Sequence, residues 1–98
     1  MLFFVYILLS LKDKKLYVGQ TNNLEQRIKE HNEGRVQSTK NRRPLVVLHK
    51  ERCSNRAIAM RRELFLKSLY GARFKQKLKR EYLKKISGGL FQKSHCDF

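Results

Sequence analysis

Residues 1–19, MLFFVYILLSLKDKKLYVG, contain two apolar runs separated by a polar turn. Residues 2–9 are an unbroken apolar run rich in β-branched and aromatic side chains, which is too short for a buried helix and suits a strand covered on both faces. Residues 10–15 are polar and charged, and the β pattern resumes at residues 16–19 before Gln20. This stretch therefore predicts a β-hairpin whose first strand is the central strand of a sheet.

Two tyrosines, Tyr6 and Tyr17, lie on the two adjacent strands of this hairpin. Facing residues on paired strands have Cβ atoms roughly 4.5 to 5.5 Å apart. The two phenols therefore converge on one small site if the register places them on the same face. The alternative is that both are ordinary sheet tyrosines with their hydroxyls at the surface.

The rest of the chain predicts one further strand and three helices. A first helix begins at the cap Asn22, with Glu25 closing a capping box, and ends at residues 32–34. A third strand covers residues 45–51, a second helix runs from residues 54–55 to about 69 with Gly71 as its stop, and a third helix spans residues 72–86. The inward face of the second helix is expected to contain Ala57, Ile58, Leu64, Phe65 and Leu69.

These elements predict an α/β (α+β) domain with a small, mainly antiparallel three-stranded sheet flanked by helices, in the order β-β-α-β-α-α. Residues 1–86 form the domain and residues 87–98 a C-terminal tail. A chain of 98 residues is long enough for one modest core.

The net charge of the chain is +15, from 23 Lys and Arg against 8 Asp and Glu. So large an excess indicates a polyanionic partner. The basic residues are spread over every segment after residue 11, which favours nucleic acid over a membrane surface. The chain shows no signal peptide, its apolar run is too short to cross a bilayer, and Cys53 and Cys96 are isolated; we expect a cytoplasmic protein without membrane attachment.

Two polar residues share the apolar stripe of the first helix. Leu24, Arg27, Ile28 and His31 follow the i, i+3, i+4, i+7 spacing of a core-facing stripe. Burying an arginine costs several kcal/mol unless it is paired or reaches a wet cleft. Arg27 and His31 therefore mark a cleft, or else Arg27 extends past the sheet edge and His31 is an ordinary hydrogen-bonded buried histidine.

Several basic residues are candidates for contacts with a nucleic-acid backbone. The connection at residues 35–44 and the last two helices supply them: Arg35, Lys40, Arg42, Arg43, Lys67, Arg73 and Lys77. The alternative for the connection is a solvated charged loop.

The chain resembles the GIY-YIG endonuclease family over residues 2–85. The residues that carry the resemblance are Phe4-Val5-Tyr6 and Tyr17-Val18-Gly19 on the two hairpin strands, followed by Arg27, His31 and Glu63. Two departures are present. Phe4 stands where the family motif has glycine, and no asparagine follows Asn55, so that the downstream asparagine of the family is missing or replaced, for example by Gln76.

The resemblance implies a metal-dependent DNA endonuclease with a single divalent metal, Mg²⁺ or Mn²⁺. Glu63 would be the metal ligand and Arg27 would contact the scissile phosphate. Tyr6 would be the general base and Tyr17 would orient water or contact the phosphate, with the reverse assignment open. His31 would bond the phosphate or assist a tyrosine, and the positive charge nearby is expected to lower a tyrosine pKa.

Without the resemblance, Glu63 is a surface carboxylate paired with Lys67 at i+4. The expected substrate is branched or otherwise structured DNA rather than a strict sequence, because a small domain has little surface for reading bases. The alternatives are a catalytically inactive nucleic-acid-binding module of the same fold and a small RNA- or ribosome-associated protein. The sequence leaves open whether the chain is a monomer or a homodimer.

Overall fold

The computed structural model describes residues 2–88, which form three strands and three α-helices. The strands are β1 (Phe3–Ser10), β2 (Leu16–Thr21) and β3 (Leu45–Cys53), and the helices are α1 (Leu24–Asn32), α2 (Arg56–Lys67) and α3 (Leu69–Gly88). A short 3-10 helix at Lys40–Arg42 precedes β3. The predicted α+β class and the order β-β-α-β-α-α are confirmed. The predicted tail lies outside the described residues except for residues 87–88, which continue α3.

The sheet is antiparallel with the strand order β2-β1-β3, so that β1 is the central strand as predicted. Tyr6 faces Gly19 across the hairpin, and Leu8 faces Tyr17. Because alternate residues of a strand point to the same face and paired residues share a face, Tyr6, Leu8 and Tyr17 lie on one side of the sheet. The register required for the two phenols to converge is therefore present.

Helices cover both faces of the sheet. The face that contains Val5, Ile7 and Leu9 packs against α2 and α3, and the buried Cys53 joins this core. The opposite face, which contains Tyr6 and Leu8, packs against α1. Such two-sided cover explains why β1 reads as a continuous apolar run rather than an alternating one. Among the described residues, no helix is both long and apolar enough to cross a bilayer.

The N-terminus of α1 is capped one residue later than predicted. The side chain of Asn23, not Asn22, accepts a hydrogen bond from the backbone N–H of Gln26 at 3.2 Å. The predicted stripe of α1 does face the sheet: Leu24 and Ile28 pack on it, and His31 is completely buried.

The predicted apolar face of α2 is wrong. Ala59 and Leu66 are buried, whereas Leu64, Phe65 and Leu69 are 65%, 42% and 90% exposed. The small Ala59 lets the helix backbone approach the sheet, and the buried line therefore passes through Ala59 and Leu66 at i and i+7. This phase turns the largest apolar side chains outward. It brings Glu63, four residues after Ala59, to one flank of the buried line.

The predicted helix stop at Gly71 is also wrong. Helix α2 ends at Lys67, and Gly71 lies in the first turn of α3, where it is buried. A Cβ at Gly71 would lie 2.6 Å from Cα of Leu66 and 2.6 Å from the carbonyl oxygen of Phe65. The glycine is therefore needed for direct contact between the backbones of the two helices, not for ending one of them.

Candidate active site

Three aromatic rings from β1, β2 and α1 form one contact cluster. The ring centroids of Tyr6 and Tyr17 are 6.2 Å apart, those of Tyr6 and His31 are 5.6 Å apart, and those of Tyr17 and His31 are 5.0 Å apart. His31 meets both tyrosines edge to face, which is a favourable arrangement for aromatic pairs. The hairpin register and the inward stripe of α1 thus bring three of the sequence-predicted site residues together.

Gly19 makes room for this cluster. A Cβ at this position would lie 2.5 Å from the hydroxyl oxygen of Tyr6 and 2.9 Å from Cε1 of Tyr17. Since Gly19 pairs directly with Tyr6, the Tyr6 ring lies over the bare backbone of β2. Phe4, where the family motif has glycine, is partly buried and pairs with Thr21 and Arg52.

His31 links Tyr6 to the segment that follows α1. Its Nε2 lies 3.0 Å from the phenol oxygen of Tyr6, and its Nδ1 lies 2.8 Å from Oγ1 of Thr39. Thr39 is also completely buried. With the proton on Nδ1, His31 donates to Thr39 and accepts from Tyr6. Both ring nitrogens are engaged and the ring has no exposed surface, so the geometry favours assistance to a tyrosine over contact with a phosphate.

Burial controls the protonation of this pair. It raises the pKa of Tyr6 to about 12, although Arg27 acts to lower it, while Tyr17 and Glu63 raise it further. Burial also lowers the pKa of His31 to about 4, and the positive charge of Arg27 acts in the same direction. The expected lowering of the Tyr6 pKa by nearby positive charge is therefore wrong here, because desolvation outweighs it. At neutral pH both side chains are uncharged.

Arg27 lies at the edge of the cluster and faces an open cleft. Its side chain is 38% exposed, and NH1 donates to Oε1 of Glu30 at 3.1 Å. Gln20 and Arg56 line the same cleft. Arg27 therefore reaches the wet cleft anticipated from its stripe position, and its guanidinium has further donors for a phosphate.

Glu63 approaches the cluster from α2. Its Oε1 accepts a hydrogen bond from Nε2 of Gln20 at 3.2 Å, and its Oε2 lies 2.9 Å from Nζ of Lys67. Only 18% of the side chain is exposed. Since Glu63 affects the pKa of Tyr6, the carboxylate acts electrostatically on the phenol pair. Of the two interpretations from sequence, the i+4 pair with Lys67 is present, and so is a link to the site through Gln20.

The donor set suits a hard divalent cation held by one carboxylate. No group of three or more His, Cys, Asp or Glu side chains that could enclose a metal occurs within residues 2–88. Mg²⁺ is often bound through one or two carboxylates while waters and substrate phosphate complete its shell. Glu63 fits this mode, provided that a cation replaces the Lys67 ammonium beside Oε2.

The predicted nucleic-acid-binding residues occupy two regions. Lys40 and Arg43 are exposed in the connection after α1, whereas Arg73 and Lys77 are exposed on α3. Three others are ion-paired at the surface: Arg35 with Glu33 at 3.1 Å, Arg42 with Asp13 at 3.2 Å, and Lys67 with Glu63.

Arg42 also has a structural role. Its carbonyl oxygen accepts a hydrogen bond from Oγ of the buried Ser10 at 2.6 Å, and its side chain pairs with Asp13. These contacts fasten the connection to the hairpin turn. Arg42 is therefore less available to a phosphate than Lys40 or Arg43.

Sequence reasoning missed Gln20, Thr39 and Arg56. Gln20 follows the Tyr17-Val18-Gly19 tripeptide on the same strand, and this position was its only sequence signal. Thr39 and Arg56 carried none, because the fold brings them to the site from outside the helical stripe. The suggested substitute for asparagine, Gln76, is exposed on α3. Gln20 is the amide that contacts Glu63.

Comparisons with known proteins agree with this arrangement. The model of the GIY-YIG catalytic domain matches residues 2–84. A UPF0213 protein of Staphylococcus haemolyticus is 46% identical over 66 residues, which are 66% of this chain and 79% of that protein. A UPF0213 protein of Natronomonas pharaonis is 41% identical over 71 residues, which are 71% of this chain and 82% of that protein.

A solved structure shares the fold. The solution NMR structure of a UPF0213 protein from Bacillus halodurans superposes with a TM-score of 0.50 at 30% identity, covering 83% of this chain and 86% of that one. The two strand tripeptides, the helix stripe and the α2 carboxylate all fall within the matched domain. The chain belongs to the GIY-YIG family.

Proposed function

We propose that this protein is a metal-dependent DNA endonuclease that hydrolyses phosphodiester bonds and selects DNA by structure rather than by strict sequence. One observation carries the proposal. A largely buried carboxylate, Glu63, lies within electrostatic reach of the phenol of Tyr6 in a chain of net charge +15. Binding a polyanion needs only cations, whereas hydrolysing one also requires a group that holds a metal or moves a proton.

Arg27 and the tyrosines divide the work at the phosphate. The planar Arg27 guanidinium binds phosphoryl oxygens and stabilises the charge that develops on them, which draws it away from Glu30. A divalent metal bound at Glu63 would supply further charge stabilisation at the phosphoryl and leaving oxygens. Tyr17, which is only half-buried, orients the attacking water or contacts the phosphate.

Tyr6 is the proposed general base, with His31 as its partner. A neutral phenol accepts a proton from water only as its own proton leaves. Nε2 of His31, at 3.0 Å, is positioned to take it. Tyr6 is completely buried in this structure, so substrate binding must move a covering side chain before water reaches the phenol. In the reverse assignment Tyr17 is the base and Tyr6 holds the cluster together.

Structure selectivity is supported by the kind of side chains that are exposed. Arg73 and Lys77 extend from α3. Long basic side chains bind phosphates in any sequence and so position DNA without reading it. A cytoplasmic location and a monomeric or homodimeric state remain predictions from the sequence.

Cleavage assays test the proposal. Supercoiled plasmid, a branched DNA and a linear duplex are incubated with the protein in Mg²⁺, Mn²⁺ or EDTA, and metal-free binding is measured over a range of salt concentrations. We expect cleavage with either metal, none in EDTA, and faster cleavage of the branched DNA than of the duplex. Steeply salt-dependent binding with no cleavage under any condition would instead identify a binding module that has lost the chemistry.

A further inference from the structure

Two large apolar side chains at the junction of α2 and α3 are nearly fully exposed. Leu69 is 90% exposed and Tyr70 is 83% exposed. They begin α3 directly after the last residue of α2, Lys67, and the bridging residue Ser68. Neither packs against the two apolar cores of the described residues. Folding therefore does not explain why a leucine and a tyrosine occupy these positions.

Backbone packing at Gly71 fixes the direction in which Leu69 points. The Cα of Gly71 is so close to α2 that an added Cβ would lie 2.6 Å from Cα of Leu66. Residues two apart on a helix point roughly 160° away from each other when measured around the axis. Leu69 consequently projects away from α2 and into solvent. The hydroxyl of Ser68, which accepts from the N–H of Tyr70 at 3.2 Å, holds the same turn in place.

The exposed pair stands at one end of a basic stripe. Arg73, Lys77, Arg80 and Lys84 are all exposed and follow one another at spacings of three or four residues along α3. From Arg73 to Lys84 the helix rises about 16 Å, a length that matches several nucleotides of a DNA strand. The side chains at the open end of this cationic track are an aliphatic wedge and an aromatic ring.

The pair also lies close to the candidate metal ligand. Lys67, the last residue of α2, contacts the carboxylate of Glu63 at 2.9 Å, and Leu69 follows two residues later. One helical turn, or about 6 Å of rise, therefore separates Glu63 from the end of α2. A strand that runs along α3 toward Glu63 would pass Leu69 and Tyr70 immediately before the site.

We propose that Leu69 and Tyr70 contact an unstacked base of DNA next to the scissile phosphate, with Tyr70 stacking on the base and Leu69 filling the gap that the base leaves. Aromatic side chains stack on bases of any identity, and apolar side chains insert where base pairs separate. This inference rests on the proposed function and adds what the enzyme selects: DNA with an unpaired or easily separated base.

Charge favours DNA over a second copy of this chain as the occupant. Lys67 and Arg73 flank the pair in sequence, and Lys77 and Arg80 continue the stripe. A symmetric contact between two copies would place these cations against their own counterparts, which is unfavourable. A polyanion that offers an exposed aromatic base complements both the charge and the apolar surface.

The test is binding in EDTA, so that it does not depend on cleavage. Fluorescence anisotropy compares a duplex carrying an unpaired bulge with the fully paired duplex of the same length. The proteins are the wild type, Leu69→Ser, Tyr70→Ala and Tyr70→Phe, with Ile58→Ser as the matched control because Ile58 is an exposed apolar residue of α2. Sedimentation of the wild type and Tyr70→Ala shows whether the pair joins two copies.

We expect Leu69→Ser and Tyr70→Ala to weaken binding of the bulged DNA by at least about fivefold. Binding of the paired duplex and its salt dependence should change less than about twofold, since the phosphate contacts persist. Tyr70→Phe and Ile58→Ser should behave like the wild type. Equal loss on both DNAs, no loss on either, or a dimer that Tyr70→Ala dissociates would overturn the inference.

The two proposals can fail separately. A preference for the bulge that depends on Tyr70, in a protein that cleaves nothing, would contradict the endonuclease proposal and leave this inference standing. Metal-dependent cleavage by a protein whose bulge preference is unaffected by Leu69→Ser and Tyr70→Ala would do the reverse.

Discussion

The phenol oxygen of Tyr6 lies 3.0 Å from Nε2 of His31, and both side chains are completely buried between β1 and α1. A buried hydrogen bond between a phenol and a neutral imidazole has two consequences. It fixes the orientation of the tyrosine, and it gives the phenolic proton somewhere to go. The Tyr17 hydroxyl has no such recorded partner among the described residues.

Removal of the two hydroxyls distinguishes the roles of the tyrosines. We expect Tyr6→Phe to lower the single-turnover cleavage rate about 10²- to 10⁴-fold, because it removes the group that takes the proton from water. Tyr17→Phe should lower the rate less, since an orienting contact is lost but the base is kept. Rates are measured over a range of pH at saturating DNA. A larger loss for Tyr17→Phe would reverse the assignment.

Gly19→Ala should disturb the site through one methyl group. The new Cβ would lie 2.5 Å from the Tyr6 hydroxyl oxygen, so the ring must move. We expect a loss of about 1 to 3 kcal/mol in the free energy of unfolding, measured in urea, and loss of cleavage. The matched background is Tyr6→Leu, whose shorter side chain accommodates the methyl group. If Gly19→Ala costs as much in that background, contact with Tyr6 is not the cause.

The low pKa of His31 makes stability depend on pH. Burial holds the folded pKa at about 4, below the ordinary value of 6.5, so the unfolded chain takes up this proton first as the pH falls. The stability that the neutral ring preserves is complete above pH 6.5 and is lost progressively as the pH falls toward 4. Between pH 7 and pH 5 the loss should be about 2 kcal/mol.

His31→Gln is the matched variant for this measurement. It removes the titrating group, so its unfolding free energy should fall less than that of the wild type over the same interval. Urea titrations at each pH give the comparison, and subtraction cancels the contributions of the carboxylates. Parallel curves for the two proteins would show that His31 titrates normally in the folded state.

A second polar cluster should affect stability without affecting chemistry. Glu51 accepts two hydrogen bonds from Arg62, at 2.8 and 2.9 Å, and lies 2.8 Å from Nε2 of His49. Burial acts to raise the pKa of Glu51, but Arg62 and His49 hold it below its usual value. Since Glu51 pairs with Val5 of β1, it lies on the α2 side of the sheet, opposite Tyr6.

Glu51→Gln should therefore lower the unfolding free energy by about 1 to 3 kcal/mol and leave the cleavage rate of the folded protein within about twofold. Urea unfolding and cleavage are measured on the same preparations. Glu25→Gln, at an exposed carboxylate of α1, should change stability by less than about 0.5 kcal/mol. A large loss of cleavage in folded Glu51→Gln would place this cluster in the site.

Most of the fold was predictable because its signals are local. The apolar run of β1 and the polar turn after it predict the hairpin, and the stripe through Arg27 and His31 predicts which face of α1 meets the sheet. The phase of α2 was not predictable in this way. Hydrophobicity favours burial of Leu64 and Phe65, whereas close packing at Ala59 and Gly71 turns them outward.

The site divides along the same line. Tyr6, Tyr17 and Gly19 could be related by strand pairing, which has a fixed geometry. Thr39 and Gln20 reach His31 and Glu63 through contacts that depend on the path of a loop and on the phase of α2. The protonation of Tyr6 depends on the balance between desolvation and charge. Composition shows the charge but not the burial.

The most direct test of the account is the effect of Glu63 on cleavage. Single-turnover cleavage of branched DNA is measured for the wild type, Glu63→Gln and Glu81→Gln as the Mg²⁺ concentration is varied; Glu81 is an exposed carboxylate of α3 and serves as the control. The account predicts at least about a hundredfold loss for Glu63→Gln, with DNA binding in EDTA retained, and a change below about twofold for Glu81→Gln. Wild-type cleavage by Glu63→Gln would contradict it.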